Sequence, residues 1–199
     1  MWWLIRDDEL HGDVLEIRGA RHHHLARVCR VRVGEVLRAA LPDGRVVRAE
    51  VAAVTAETLS ARVIAQEPAA AQPPCRIVLY QAVLKGEKMD GVVQKACELG
   101  AWALTPLLTR RSVPRWTPDQ ARERAARWQR IADAAAQQCE RAIPLQVAPP
   151  HSLDDALLTA PPVSLLLHER DGASLRVLAE RHPAVSDLGL FLGPEGGWA

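Results

Sequence analysis

The chain has 199 residues, of which 48% are hydrophobic and 25% charged, and its net charge is +1. This is a globular composition for one ordinary domain or two small ones, and it excludes a disordered or fibrous protein. No apolar run is long enough to cross a bilayer, and the opening Met1-Trp2-Trp3-Leu4-Ile5-Arg6-Asp7-Asp8 has no basic-then-apolar leader, so neither a membrane span nor secretion is expected and the cytoplasm is the expected location.

The first seventy residues read as β-structure. Val14–Arg18 is short and alternating. Gly34–Leu41 and Arg45–Val54 are rich in β-formers and flank Pro42-Asp43-Gly44, and Asp-Gly between two such runs predicts a hairpin. Thr58–Ala65 is a further strand, and several short strands at close spacing predict a small barrel. Glu67-Pro68-Ala69-Ala70-Ala71-Gln72-Pro73-Pro74 has three prolines and no periodicity, which marks a linker between a domain at 1–70 and one at 75–199.

The pattern then changes. Arg76–Leu84 is a continuous apolar run, as expected of a strand buried on both faces. Lys88–Leu99 has Met89, Val92, Val93, Ala96 and Leu99 at helical spacing, with Gly100 at the C-cap. Ala103–Leu108 is a strand. Thr117 as N-cap and Pro118 at the first helical position open a long helix with an apolar stripe of Ala121, Ala125, Trp128, Ala132, Ala135 and Cys139. Leu145–Ala148 is a short strand, Ser152 caps a helix through Leu158, and Val163–His168 and Leu188–Leu192 are buried strands around a helix at Ser174–Glu180. Strands alternating with helices predict an α/β domain with a mostly parallel sheet.

Charge and cysteine add limited constraints. Residues 18–48 carry eight Arg against two acids, net +6; residues 76–141 carry twelve basic residues against seven acids, net +5; residues 142–199 carry three against seven, net −4. Basic segments in a near-neutral chain either gather into a phosphate-binding patch or form an ordinary ion-paired surface, and charge alone does not choose. Arg supplies 22 of the 25 cations, which suits bidentate phosphate contacts, although a GC-rich genome gives the same bias. Cys29, Cys75, Cys97 and Cys139 form no CxxC pair and read as buried free thiols of a reducing compartment.

In open α/β sheets, ligands bind beyond the C-terminal ends of the strands. Two segments meet that condition: Gly193-Pro194-Glu195-Gly196-Gly197 after Leu188–Leu192, and His168-Glu169 after Val163–Leu167. A glycine loop of this kind presents backbone N–H and C=O groups to a ligand or is a plain tight turn; it is neither GxGxxG nor a P-loop, so dinucleotide or ATP binding gains little. Lys85-Gly86-Glu87-Lys88-Met89-Asp90 and Arg110-Arg111 follow strands in the same way, as charged turns or as phosphate contacts. His22-His23-His24 invites a metal reading, but adjacent side chains on a strand point to opposite faces and cannot converge on one ion, so no metal is expected. Arg21, Arg27, Arg30 and Arg32 beside it favour a basic surface.

Taken together these residues resemble the RsmE family of 16S ribosomal RNA uridine-N3 methyltransferases, of the knotted (SPOUT) superfamily. The N-terminal pieces are His23-His24-Leu25-Ala26-Arg27-Val28-Cys29-Arg30, Gly34 and Asp43-Gly44. The distinctive stretch is Lys85-Gly86-Glu87-Lys88-Met89-Asp90, Gln94-Lys95-Ala96-Cys97-Glu98-Leu99-Gly100, Thr105-Pro106-Leu107 and Arg111-Ser112-Val113. Trp128-Gln129-Arg130-Ile131-Ala132, Gln138-Cys139 with Arg141, and Leu192-Gly193-Pro194-Glu195-Gly196-Gly197 complete it. Their order and spacing make the likeness specific, while Gln137-Gln138-Cys139-Glu140-Arg141 departs from the family's Glu-Gln-Ser/Cys-Gly-Arg.

The resemblance implies an N-terminal PUA-like β-barrel that binds RNA and a C-terminal trefoil-knot α/β domain. It implies S-adenosylmethionine as methyl donor, lined by Gly193, Pro194, Glu195, Gly196 and Gly197 with His168 and Glu169. It implies RNA contacts at Arg27, Arg30, Lys85, Lys88, Arg110 and Arg141, and Arg111 as the cation near the reacting uridine. The implied partner is 16S rRNA in the small ribosomal subunit, met by a homodimer. The family continues beyond Trp198-Ala199 with a further strand, loop and helix, so the expectation is that the knot segment is absent from this sequence. A knotted methyltransferase of another RNA and a non-catalytic RNA-binding protein are the alternative readings.

Overall fold

The computed structural model describes every residue except 69–72, 111–115, 169–171, 196 and 199. By contacts the chain forms two compact units, Met1–Ala71 with Ala136–Ile143, and Gln72–Ala135 with Pro144–Ala199.

In the first unit, alternation of apolar and polar side chains makes a six-stranded sheet. Its strands are β1 (Trp2–Leu4), β2 (Leu10–His11), β3 (Val14–Arg18), β4 (Val36–Ala40), β5 (Val46–Val54) and β6 (Thr58–Glu67), in the order β1-β4-β5-β6-β3-β2. Only the β1–β4 pair is parallel. Trp3 and Ile5, at one end of that order, share a single core with Leu15 and Ile17 of β3, near the other end, so the sheet curls around its own apolar face. The expected hairpin is present: Ala40 pairs with Val46, Leu41 N–H donates to Arg45 O at 2.8 Å, and Gly44 takes φ +83°. A second small core joins Trp2, Ala40 and Val46 to Ala142, and Arg38 bonds Glu140 at 2.8 Å, which explains why 136–143 belongs with this unit.

Two sequence expectations change here. The histidine run lies not on a strand but in α1 (Gly19–His23) and the π-helical turn His24–Val28, where His22 is buried while His23 and His24 are exposed. β1 is a strand that the sequence did not announce, because two adjacent tryptophans carry no alternation. Here one ring enters the main core and the other the second core.

The second unit is a parallel sheet. Its strands are β7 (Arg76–Ala82), β8 (Ala103–Leu108), β9 (Gln146–Val147), β10 (His151–Ser152), β11 (Val163–Leu166) and β12 (Asp187–Leu192), in the order β10-β8-β7-β12-β11, with β9 also on β8. β9 and β10 run as one interrupted strand beside β8, leaving Thr105 and Pro106 unpartnered on that side. Pro106 has no N–H to offer there, nor do Pro149 and Pro150 of the intervening segment.

The helices are α2 (Lys88–Glu98), α3 (Pro118–Gln138), α4 (Leu153–Thr159) and α5 (Leu175–Arg181). Their ends follow the sequence. Thr117 Oγ1 accepts from Gln120 N while Gln120 Oε1 accepts from Thr117 N, a capping box at the start of α3. Ser152 and Ser174 cap α4 and α5, and Gly100 ends α2 with φ +89°. Tyr80 and Phe191 of neighbouring strands stack with centroids 4.4 Å apart and share a core with Leu107 and Ala156.

Three burial expectations are corrected. β11 is an edge strand with alternating, half-exposed side chains, so Val163–Leu167 is not buried on both faces. Leu99 is exposed because α2 ends at Glu98. Cys139 is exposed because α3 ends at Gln138, and its place in the apolar stripe passes to the fully buried Ala136. Of the four free thiols only Cys97 is buried.

Candidate functional site

A parallel sheet places the C-terminal ends of its central strands along one edge. The segments leaving β8, β7, β12 and β11 therefore follow one another along that edge: Thr109-Arg110, Lys85–Lys88, Gly193–Glu195 and Leu167-His168. Among the expected site residues, Lys85, Lys88, Arg110, His168, Gly193, Pro194, Glu195 and Gly197 follow strands that end along this edge, and Glu195 contacts Lys85 and Lys88. Arg27, Arg30 and Arg141 belong to the first unit, where Arg27 and Arg30 are exposed and Arg141 is half-buried. Arg111, Glu169 and Gly196 lie outside the described residues.

The glycine loop is tied down on two sides. Glu195 Oε1 accepts from Lys88 Nζ at 3.0 Å and from the Lys85 backbone N–H at 3.4 Å. The Lys88 ammonium thereby holds the Glu195 carboxyl below the usual carboxylate range. On the other side, Trp198 Nε1 donates to Leu167 O at 3.1 Å, and Leu167 N–H donates to Phe191 O at 2.9 Å. Gly197 turns back with φ +72° and donates its N–H to Pro194 O at 2.8 Å. A Cβ on Gly193 would sit 3.2 Å from Trp198 Nε1, so the indole would have to give by a few tenths of an ångström to admit a side chain there. Lys88, expected to contact RNA, pairs with this loop while its side chain stays exposed.

Beside the β7–α2 turn a cavity of about 560 Å³ opens toward the first half of α3. One wall is Lys85, Gly86 and Glu87, and the other is Trp116, Arg124 and Arg127. Asp90, on the first turn of α2, accepts from Arg127 Nη1 at 2.6 Å and from Trp128 Nε1 at 3.2 Å. The hydrogen bond from Arg127 pulls the Asp90 carboxyl below its ordinary range and outweighs partial burial, which acts the other way. Sequence reasoning did not single out Trp116, Arg124 or Arg127. Trp116 immediately precedes the Thr117 cap, and an aromatic residue at an exposed loop end is the one local signal that points to it.

Among the described residues no three His, Cys, Asp or Glu side chains are grouped to hold a metal ion. None of the described helices is long and apolar enough to cross a membrane.

The model of the RNA methyltransferase domain family matches residues 71–199, and that of the RNA methyltransferase PUA domain matches residues 17–64. The chain belongs to the RNA methyltransferase domain family. This family member is 27% identical to the ribosomal RNA small subunit methyltransferase E of Bacillus subtilis over 91% of its length and 73% of that protein's. It is 30% identical to the protein of the same name from Synechocystis over 98% of its length, and it spans 64% of that relative. The structure of the Neisseria gonorrhoeae ribosomal RNA small subunit methyltransferase E bound to S-adenosyl methionine shares 26% identity and a TM-score of 0.87, over 100% of this chain and 81% of that one. The fold class is accordingly α/β, with a PUA β-unit ahead of an RNA methyltransferase unit built on a parallel sheet.

Proposed function

We propose that this chain carries out S-adenosylmethionine-dependent methylation of 16S rRNA in the small ribosomal subunit, at N3 of a uridine. One observation supports this reading most. The glycine loop after β12 and the Lys85–Lys88 turn after β7 are drawn together at the C-terminal edge of a parallel sheet, by Glu195. Backbone hydrogen-bonding groups suited to a cofactor and cationic groups suited to RNA lie side by side there, which supports the reading.

The residues present fit the cofactor. An adenosine needs apolar walls and backbone N–H and C=O partners. Gly193, Pro194, Glu195 and Gly197 offer backbone groups of that kind, with His168 at the neighbouring strand end, while Gly196 and Glu169, the other two candidates, lie outside the described residues. S-adenosylmethionine supplies an electrophilic methyl group on a sulfonium. N3 of uridine lies on the Watson–Crick edge, so the base is taken unpaired. With the N3–H proton passed to a base or water, the freed nitrogen pair would take the methyl group that bound S-adenosylmethionine would supply, its sulfur leaving as a neutral thioether. A neighbouring guanidinium, for which Arg111 is the candidate, favours the N3 anion. In-line positioning is worth roughly 7–11 kcal/mol of the barrier. Residues 1–70 grip the RNA through Arg27 and Arg30, with Arg110 and Arg141 as further contacts. Residues 75–199 carry the chemistry, in a cytoplasmic homodimer.

The test is methyl transfer from labelled S-adenosylmethionine to purified small ribosomal subunits, with mass mapping of the product. One methyl on N3 of a single uridine is expected. Label on transfer RNA instead points to another RNA substrate. Absence of cofactor binding by calorimetry points to a non-catalytic RNA-binding protein.

A further inference from the structure

The cavity beside the β7–α2 turn has a composition that the cofactor loop does not explain. Its volume of about 560 Å³ suits a small organic ligand. Its floor is already neutralised, because Asp90 is paired with Arg127. Of the charges left on its walls, Lys85 and Arg124 outnumber Glu87, so the cavity favours an anion.

The two tryptophans differ in the way a binding platform requires. Trp128 is 3% exposed and its indole N–H is held by Asp90, which makes it part of the core. Trp116 is only half-buried, tilted 60° against Trp128 with centroids 5.9 Å apart. The Arg124 guanidinium lies 5.8 Å from its ring centroid. A half-buried indole with one guanidinium over its ring and a lysine on the facing wall matches a flat aromatic base attached to a phosphate. The concavity takes a base that has left its stack, which a duplex cannot present.

We propose that this cavity is a slot for one unpaired nucleotide of the RNA substrate, with Trp116 as the stacking surface and Arg124 and Lys85 holding its phosphate. The assignment rests on the methyltransferase reading for the identity of the RNA, and it deepens that reading by placing the nucleotide. The Lys85 backbone N–H that reaches Glu195 ties the cavity wall to the glycine loop, so slot and donor loop share one turn.

The experiment measures binding of a fluorescent single-stranded, uridine-containing RNA octamer to the protein and to Trp116→Ala, Trp116→Phe and Arg124→Gln. Stacking predicts roughly 5- to 100-fold weaker binding for Trp116→Ala. Trp116→Phe stays within about 3-fold of wild type, because a π-face remains. Arg124→Gln weakens binding and flattens its salt dependence. S-adenosylmethionine affinity and helical circular dichroism stay unchanged in all three. Wild-type RNA affinity in Trp116→Ala overturns the slot, and so does an equal loss in Trp116→Phe. The methyltransferase reading fails separately, if the wild-type protein neither binds S-adenosylmethionine nor methylates small subunits.

Discussion

The Asp90 carboxylate accepts from the Arg127 guanidinium through both oxygens and from the Trp128 indole, and so joins the first turn of α2 to the middle of α3. Its side chain is 24% exposed, so the pair is only partly screened by solvent. Asp90→Asn removes the charge and leaves a guanidinium and an indole N–H poorly matched, at a cost of about 1–3 kcal/mol at neutral pH. The sign with pH follows from the depressed folded-state value. The stabilisation is fully present above the ordinary carboxylate range and is lost as the pH falls through the folded value. Urea unfolding at pH 7 and near pH 3 therefore shows a gap between wild type and Asp90→Asn that narrows in acid; a gap of equal size at both would show that charge is not its source. Asp90 was visible in the sequence only as part of a motif. Its partners lie 37 and 38 residues away, a distance that no local pattern spans.

At the scale of elements, β12 is held between β7 and the edge strand β11, and its third residue is Gly189, beside Val78 and Ser164. A methyl at Gly189 would run into Ser164 Oγ, which is fixed by its hydrogen bond to Pro161 O at 2.7 Å. Gly189→Ala is expected to destabilise the protein by about 1–3 kcal/mol through overpacking. Thermal unfolding of Gly189→Ala alone and combined with Ser164→Ala checks the cause, because the double variant should recover most of the loss and a failure to do so would move it elsewhere. The caps and turns of these elements were legible in the sequence, since Thr117, Ser152, Ser174, Gly44 and Gly100 act on backbone groups a few residues away. The burial of β11 was not. Its run of leucines reads as a central strand, whereas sheet order, set by the crossovers, leaves it at the edge.

At the scale of the molecule, the uneven charge of the sequence becomes exposed Arg27 and Arg30 on the β-unit and exposed Lys85 and Arg110 on the α/β unit. If these meet phosphates, RNA binding weakens steeply with salt. Replacing Arg27 and Arg30 together by Gln lowers the slope of log affinity against log salt by about 1.4, at roughly 0.7 per lost contact with a single strand. An unchanged slope, measured across a salt series with intact small-subunit RNA, would remove both residues from the interface. Arg30 takes φ +56°, and because Gln meets the same backbone strain, the change tests charge rather than fold.

By itself the sequence determined what depends on neighbours along the chain. The β-rich first part, the helix caps and the glycine loop after an apolar strand follow from side-chain periodicity and from local hydrogen-bonding preferences. Tertiary structure alone decided which loops meet. Glu195 and Lys88 are 107 positions apart, and Trp116 shares a cavity with Lys85. Only the parallel order of the sheet, fixed by packing helices across its faces, brings such groups to one edge.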